Sequence, residues 1–107
     1  MQPVVSLLVP IYNVEKYLRE CLDSAKSQTL SDIEIICIND GSTDSSPDII
    51  HEYMQADSRF KIIDKANSGY GASMNQGLDA ACGKYIRILE SDDFFEPCLL
   101  YTSDAAD

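Results

Sequence analysis

Three carboxylates lie within four residues near the carboxyl end of the chain, at Glu90, Asp92 and Asp93. They directly follow residues 85–89, an apolar run that is typical of a buried strand. Like charges this close together repel one another unless a cation or solvent neutralises them. Carboxylate oxygens suit a hard divalent cation such as Mg²⁺ or Mn²⁺. The cluster therefore predicts a metal site, and the alternative is a solvated turn in which Asp92 caps a helix.

A second polar segment, residues 40–44, separates an apolar run from a helical pattern. Gly41 can take a left-handed backbone conformation, and an aspartate such as Asp40 can accept hydrogen bonds from a nucleobase N–H or a ribose hydroxyl. Tyr12 follows another apolar run and can stack on a base. These features favour a nucleotide ligand. The alternatives are an ordinary turn for residues 40–44 and a core or rim aromatic for Tyr12.

Four short apolar runs are typical of strands, and the first two have the composition of parallel strands that are covered on both faces. These runs are residues 4–9, 33–38, 60–63 and 85–89. Helical spacing of apolar residues fills the three intervals, with Asn13 as a candidate N-cap, Pro47 in a first helical turn and a third helix over residues 71–81. Strict alternation of strand and helix predicts an α/β fold with a parallel sheet.

Polar, glycine-rich or acidic segments follow each of the four predicted strands. These segments are residues 10–13, 39–44, 65–71 and 90–93. Ligands of open α/β sheets bind beyond the carboxyl ends of the strands. We therefore expect the four segments to form one ligand site at a single edge of the sheet.

The segment Gly69-Tyr70-Gly71 opens a predicted helix and also suggests a dinucleotide-binding turn. Glu90 lies about 20 residues further on, as that fingerprint requires. Met74, however, stands where the third glycine or alanine belongs. An NAD-type binding module and a non-catalytic domain that binds only a cation remain the alternatives to a nucleotide-dependent enzyme.

Composition restricts the classes of binding partner and the cellular compartment that are expected for the protein. The 107 residues carry a formal net charge of −10, which disfavours binding to nucleic acid or to an anionic membrane. No apolar run reaches the roughly 18 residues that a membrane-spanning helix needs. The four cysteines show no zinc-binding spacing. Reduced thiols are expected, which favours a cytoplasmic protein.

In their order and spacing these segments resemble the amino-terminal half of a family 2 glycosyltransferase with the GT-A fold. The resemblance rests on residues 9–13, 39–44, 67–77, 83–85 and 90–93. It implies a truncated GT-A parallel sheet and a nucleotide-diphosphate sugar as donor. It also implies inverting transfer of the sugar to a hydroxyl of a saccharide or lipid-linked acceptor, which allows peripheral membrane association of the full-length protein. The catalytic base of such enzymes lies in the second half of the domain, beyond this chain.

The resemblance also assigns roles to individual residues. Pro10, Tyr12 and Asp40 would hold the base and the ribose. Asp92 would coordinate the cation on the diphosphate as part of an Asp-x-Asp motif, whose usual first Asp is a Glu here. The implied nucleotide site comprises Pro10, Tyr12, Asn13, Asp40, Gly41, Ser42, Asn67, Gly69 and Asp92, and the implied Mg²⁺ or Mn²⁺ ligands are Glu90, Asp92 and Asp93.

The last ten residues are expected to differ in origin from the rest. Residues 98–107 match the translation of a sequencing-library adapter and show no periodicity that continues the fold. We therefore expect residues 1–97 to be the donor-binding half of a longer domain and residues 98–107 to be a non-native tail.

Overall fold

The computed structural model describes residues 4–27 and 32–89. Within these ranges, strands and helices alternate as predicted. The strands are β1 (Val5–Ile11), β2 (Ile33–Asp40), β3 (Phe60–Lys65) and β4 (Tyr85–Ile88), and the helices are α1 (Glu15–Lys26), α2 (Ser46–Ala56) and α3 (Tyr70–Ala80). The predicted α/β fold is confirmed. β1, β2 and β3 each continue two residues beyond the predicted end, so that the first polar residues of the candidate site belong to the sheet itself.

The four strands form one parallel sheet in the order β3-β2-β1-β4. Val5 pairs with Ile33 on one side and with Tyr85 on the other. β1 and β2 are buried along their whole length, because both faces of the sheet are covered. This explains why each appears in the sequence as an almost uninterrupted apolar run.

Helices cover the two faces of the sheet unequally. Side chains of α1 and α2, such as Leu22 and Ile50, pack with Leu7 in the larger apolar core. The smaller core places Met74 of α3 against Leu8 on the opposite face, as the alternation of side chains along a strand requires. In α3, Gly77 allows close packing, because an added Cβ would lie only 2.9 Å from the Cδ1 atom of Ile38.

The start of α1 differs from the sequence prediction. Val14 is the N-cap of α1 and no side chain caps this end. Asn13 instead has a left-handed backbone, with φ of 51°. Its Oδ1 atom accepts a 2.7 Å hydrogen bond from the backbone N–H of Thr43. The prediction of Asn13 as an N-cap was wrong because this long-range bond takes the side-chain oxygen away from the helix.

A buried polar cluster fastens the α3–β4 connection at the amino-terminal edge of the sheet. Glu34 Oε2 accepts hydrogen bonds of 2.5 Å from the Ser6 hydroxyl and from the Cys82 N–H. Ser6 Oγ in turn accepts the Gly83 N–H at 2.7 Å. Gly83 packs so closely that a Cβ there would lie 2.6 Å from the Ser6 nitrogen. These contacts hold the chain where it enters β4.

None of the three helices within the described ranges has the length and apolar composition that crossing a bilayer requires.

Candidate functional site

A cleft of about 420 Å³ opens at the carboxyl ends of β1 and β2, beside the amino terminus of α3. Eight described residues line it: Pro10, Ile11, Tyr12, Asp40, Asn67, Gly69, Tyr70 and Ser73. Five of them belong to the nucleotide site predicted from the sequence. The three others, Ile11, Tyr70 and Ser73, were not predicted. The sheet edge at which ligands of this architecture bind thus carries a single concave surface assembled from three segments.

Asp40, the last residue of β2, is ionised and nearly buried in this cleft, with 6% of its surface exposed. Its Oδ1 atom accepts the Lys65 ammonium and the N–H of Ser68, the latter at 2.9 Å. Its Oδ2 atom accepts the N–H of Gly69 at 3.0 Å. The Lys65 hydrogen bond, with those of the two amides, holds the pKa of Asp40 below its ordinary value in spite of burial. The carboxylate therefore fixes the β3–α3 connection and stays charged at neutral pH.

Gly41 supports this connection and does not line the cleft. Its φ is +72°, a conformation that side chains disfavour. A Cβ at Gly41 would lie 2.7 Å from the backbone nitrogen of Asn67. The glycine predicted to contact the nucleotide thus allows Asn67, which does line the cleft, to pack against the β2–α2 connection.

Asn13 and Ser42 also lie outside the cleft lining and bind each other instead. The backbone N–H of Asn13 donates to Ser42 Oγ at 3.0 Å. Nearby, the N–H of Ser45 donates to Glu15 Oε1 at 2.8 Å. These bonds tie the β1–α1 connection to the β2–α2 connection. Their effect on the cleft is to brace the segment that carries Tyr12.

Two tyrosines stand at the rim of the cleft. Tyr12, just after β1, is 49% exposed, and Tyr70, the first residue of α3, is 53% exposed. The exposure of Tyr12 excludes the core alternative considered for this side chain. Exposed aromatic rings beside a cleft offer flat apolar surfaces for stacking.

The predicted metal ligands Glu90, Asp92 and Asp93 lie outside the described residues. Within residues 4–27 and 32–89, no group of three His, Cys, Asp or Glu side chains is arranged to hold a metal ion. The described chain ends at Leu89, whose N–H donates to the Leu8 carbonyl at 2.9 Å. Leu8 is two residues before Pro10, so the acidic segment follows a strand that ends beside the cleft.

Ser73 is a site residue that sequence reasoning missed. It is buried, with 1% of its surface exposed. Among the described residues, its hydroxyl is the one buried side-chain group without a hydrogen-bond partner. No sequence signal marked it, since Tyr70, which lies three residues earlier on the same helix, was not predicted as a site residue either.

The sequence model of the family described as "Glycosyl transferase family 2" matches residues 6–102. The chain belongs to this family. EpsH of Bacillus subtilis is 54% identical to it over 95 residues, which are 89% of this chain and 28% of EpsH. The glycosyltransferase GlyA of Streptococcus pneumoniae is 46% identical over 92 residues, which are 86% of this chain and 13% of GlyA. The chain thus spans under a third of these relatives.

Solved structures confirm the GT-A fold for this member of the family. TarS of S. aureus, residues 1–349 in complex with UDP-GlcNAc, superposes with a TM-score of 0.86 at 31% identity, covering 95% of this chain and 30% of TarS. The mannosyltransferase PcManGT of Pyrobaculum calidifontis, in complex with GDP-Man and Mn²⁺, gives a TM-score of 0.88 at 22% identity, covering 100% of this chain and 33% of PcManGT. Family membership disfavours the NAD-type alternative that the Gly-Tyr-Gly segment had left open.

Proposed function

We propose that residues 1–97 are the donor-binding half of a glycosyltransferase and that the cleft binds the nucleoside of a nucleotide-diphosphate sugar. The observation that carries this proposal is the assembly of Pro10, Tyr12, Asp40 and Asn67 around one cleft. The UDP-GlcNAc complex of the related TarS supports it. Residues 98–107 remain proposed as a non-native tail.

The chemistry of the cleft suits a nucleoside. The exposed ring of Tyr12 offers a surface for the base. Asp40 Oδ2 accepts one described hydrogen bond, from Gly69, and retains a further lone pair for a base N–H or a ribose hydroxyl. Because Lys65 and two backbone amides keep the carboxylate ionised, it acts as an acceptor throughout the neutral pH range.

Asp92, with Asp93 and Glu90, is proposed to hold Mg²⁺ or Mn²⁺ on the donor diphosphate. All three ligands are carboxylates, the donor set that these hard cations prefer. A bound cation would stabilise the negative charge that develops on the departing nucleoside diphosphate. The contribution of the described chain is to hold β4, which precedes these acids, in register with β1.

The reaction proposed for the full-length protein is an inverting single displacement. A hydroxyl of a saccharide or lipid-linked acceptor would attack the anomeric carbon of the donor sugar, and the nucleoside diphosphate would leave. The catalytic base and the acceptor site are proposed to lie beyond this chain. Cys21 and Cys37 are buried thiols that form no disulfide, which fits a reducing compartment and supports the proposal of a cytoplasmic location.

The test is calorimetric titration of the full-length protein with UDP and GDP, with and without Mn²⁺. Asp92→Asn is expected to abolish the metal-dependent part of nucleotide binding. Asp40→Ala is expected to weaken nucleoside binding even without metal. Asp79→Asn, on the exposed side of α3, is the matched control and should bind like wild type.

Two results would contradict this assignment. If Asp92→Asn binds the nucleotide in Mn²⁺ with wild-type affinity, Asp92 does not hold the metal ion. Binding of metal without any nucleotide would favour the non-catalytic, cation-binding alternative.

A further inference from the structure

Tyr70, the first residue of α3, lines the cleft with 53% of its surface exposed. The aromatic ring makes up most of the surface of a tyrosine, so an exposure of this size requires that the ring itself be accessible. Tyr53 of α2, by contrast, is 8% exposed, and the centroid of its ring lies 5.5 Å from that of Phe60. The ring of Tyr53 therefore packs in the apolar core, whereas the ring of Tyr70 is available to a ligand.

The chain on either side of Tyr70 leaves open space. A Cβ added at Gly69 or at Gly71 would have no neighbouring atom within 4 Å. A glycine inside a helix costs about 1 kcal/mol relative to alanine, and packing within the described residues does not require one at Gly71. Because neither neighbour carries a side chain, a planar ligand can reach the Tyr70 ring from the cleft without displacing one.

The backbone that carries Tyr70 is fixed to the acidic side chain of the cleft. The N–H of Gly69 donates to Asp40 Oδ2 at 3.0 Å, and the Gly69 carbonyl accepts the N–H of Ser73 at 3.1 Å. Tyr70 directly follows Gly69, so a ligand that contacts Asp40 lies within reach of the Tyr70 ring. Tyr12 lines the same cleft from the end of β1. The sheet and the helix thus each contribute one accessible aromatic ring.

The other lining residues favour a nucleobase over a diphosphate. Within the described ranges, Asp40 is the one charged residue that lines the cleft, and its negative charge would repel a phosphate. The nearby Lys65 ammonium is buried and already bonded to Asp40 and Ser68. Pro10 and Ile11 add apolar surface beside the tyrosines. A nucleobase has flat apolar faces and N–H donors at its edge, which match this combination.

We infer that Tyr70 is a recognition residue whose ring stacks on the donor nucleobase, so that the base contacts one tyrosine at the end of β1 and a second at the start of α3. This inference rests on the proposed function, because it takes the cleft to be the nucleoside site. It adds an aromatic contact from α3, made by the ring of Tyr70 and not by its hydroxyl.

The experiment compares Tyr70→Ala and Tyr70→Phe with wild type in the full-length protein. Calorimetry would measure the affinity for uridine and guanosine without metal, and for inorganic pyrophosphate with Mn²⁺. We expect Tyr70→Ala to weaken binding of the preferred nucleoside by about fivefold or more, as loss of one base–aromatic contact implies. Tyr70→Phe keeps the ring and should bind within about twofold of wild type. Neither variant should change pyrophosphate binding.

Tyr17→Ala is the matched control, because Tyr17 lies on α1, is 52% exposed and is not among the described residues that line the cleft. It should bind the nucleoside like wild type. Thermal melts of all three variants without ligand should lie close to that of wild type, because exposed side chains contribute little to stability. An equal loss of affinity in Tyr17→Ala would show that the effect of Tyr70→Ala is not local, and would overturn the inference.

Three other results would also overturn it. Wild-type nucleoside affinity of Tyr70→Ala would do so while leaving the proposed function intact. A loss of the same size in Tyr70→Phe would assign the effect to the hydroxyl. A loss that extends to pyrophosphate would place Tyr70 at the diphosphate. If wild type binds neither nucleoside nor nucleotide, the proposed function fails as well.

Discussion

The carboxylate of Asp40 accepts a 3.0 Å hydrogen bond from the backbone N–H of Gly69, which lies 29 residues further along the chain. One side chain at the end of β2 thereby positions the residue from which α3 starts. Gly69 has a φ of 99°, and no side chain caps α3. The geometry of the cleft consequently depends on a charged group that is also proposed to contact the ligand.

Asp40→Asn should lower both the stability of the chain and its nucleoside affinity. It leaves the buried Lys65 ammonium without its carboxylate, and loss of one partner of a buried pair typically costs about 2–4 kcal/mol. The double variant Asp40→Asn/Lys65→Met should recover part of the stability but none of the affinity. Urea denaturation and nucleoside titration of wild type, the two single variants Asp40→Asn and Lys65→Met, and the double variant would test this. Recovery of affinity in the double variant would show that Asp40 acts only on structure.

Gly41→Ala should destabilise the chain by about 1–3 kcal/mol, because it forces a side chain into a left-handed conformation. The new Cβ would also press on the backbone of Asn67. Gly71→Ala is the control, since Gly71 lies in α3 and a Cβ added there would have no neighbouring atom within 4 Å. It should leave stability unchanged or raise it by up to about 1 kcal/mol. Chemical denaturation of both variants measures the contrast, and equal effects would contradict the assigned role of Gly41.

Glu34→Gln should lower the unfolding free energy at neutral pH and should make that free energy depend less on pH. Burial alone would raise the pKa of Glu34, but hydrogen bonds from Cys82, Lys61 and Ser6 outweigh it and lower the pKa. A carboxylate with a lowered folded-state pKa contributes stability above its unfolded pKa of about 4.3 and loses it as the pH falls through the folded value. The difference in unfolding free energy between wild type and variant should therefore be largest near pH 7 and shrink towards pH 3. A constant difference across that range would rule out ionised Glu34 as the stabilising species.

Deletion of residues 98–107 should change the Tm by less than about 2 °C, well below the roughly 4–8 °C that 1 kcal/mol produces in a domain of this size. The reason is that a segment of the proposed adapter origin would not have evolved with the fold. Thermal melts of residues 1–97 and of the whole chain make the comparison. Loss of a cooperative transition on deletion would show that the tail is native.

Much of the fold followed from the periodicity of the sequence, but the strand ends did not. Pro10 and Ile11 look like the start of a loop, yet they pair with Ile38 and Asn39 in register. Within the described residues, β4 pairs with β1 as far as Leu8, so the missing N–H of Pro10 interrupts none of the pairings described there. Such an arrangement depends on the register of a distant strand, which local composition does not reveal.

The candidate site was predictable in its location but not in its internal bonding. The edge of the sheet followed from topology alone. The partners of Asp40 did not, because Lys65, Ser68 and Gly69 lie 25 to 29 residues away and two of them bond through backbone amides. Backbone donors carry no side-chain signature. Ser73 escaped prediction for a related reason, since an unpaired hydroxyl is visible only once its neighbours are placed.

The position of β1 between β2 and β4 also sets an order of events during synthesis. Because chains emerge amino terminus first, β1 can pair with β2 while β4 is still being made. The two partners of Val5, which are Ile33 in β2 and Tyr85 in β4, therefore become available at very different times. Until then, one edge of β1 is open to other strands, which is a hazard for aggregation. β4, which precedes the acidic segment, is thus the last of the four described strands to join the sheet.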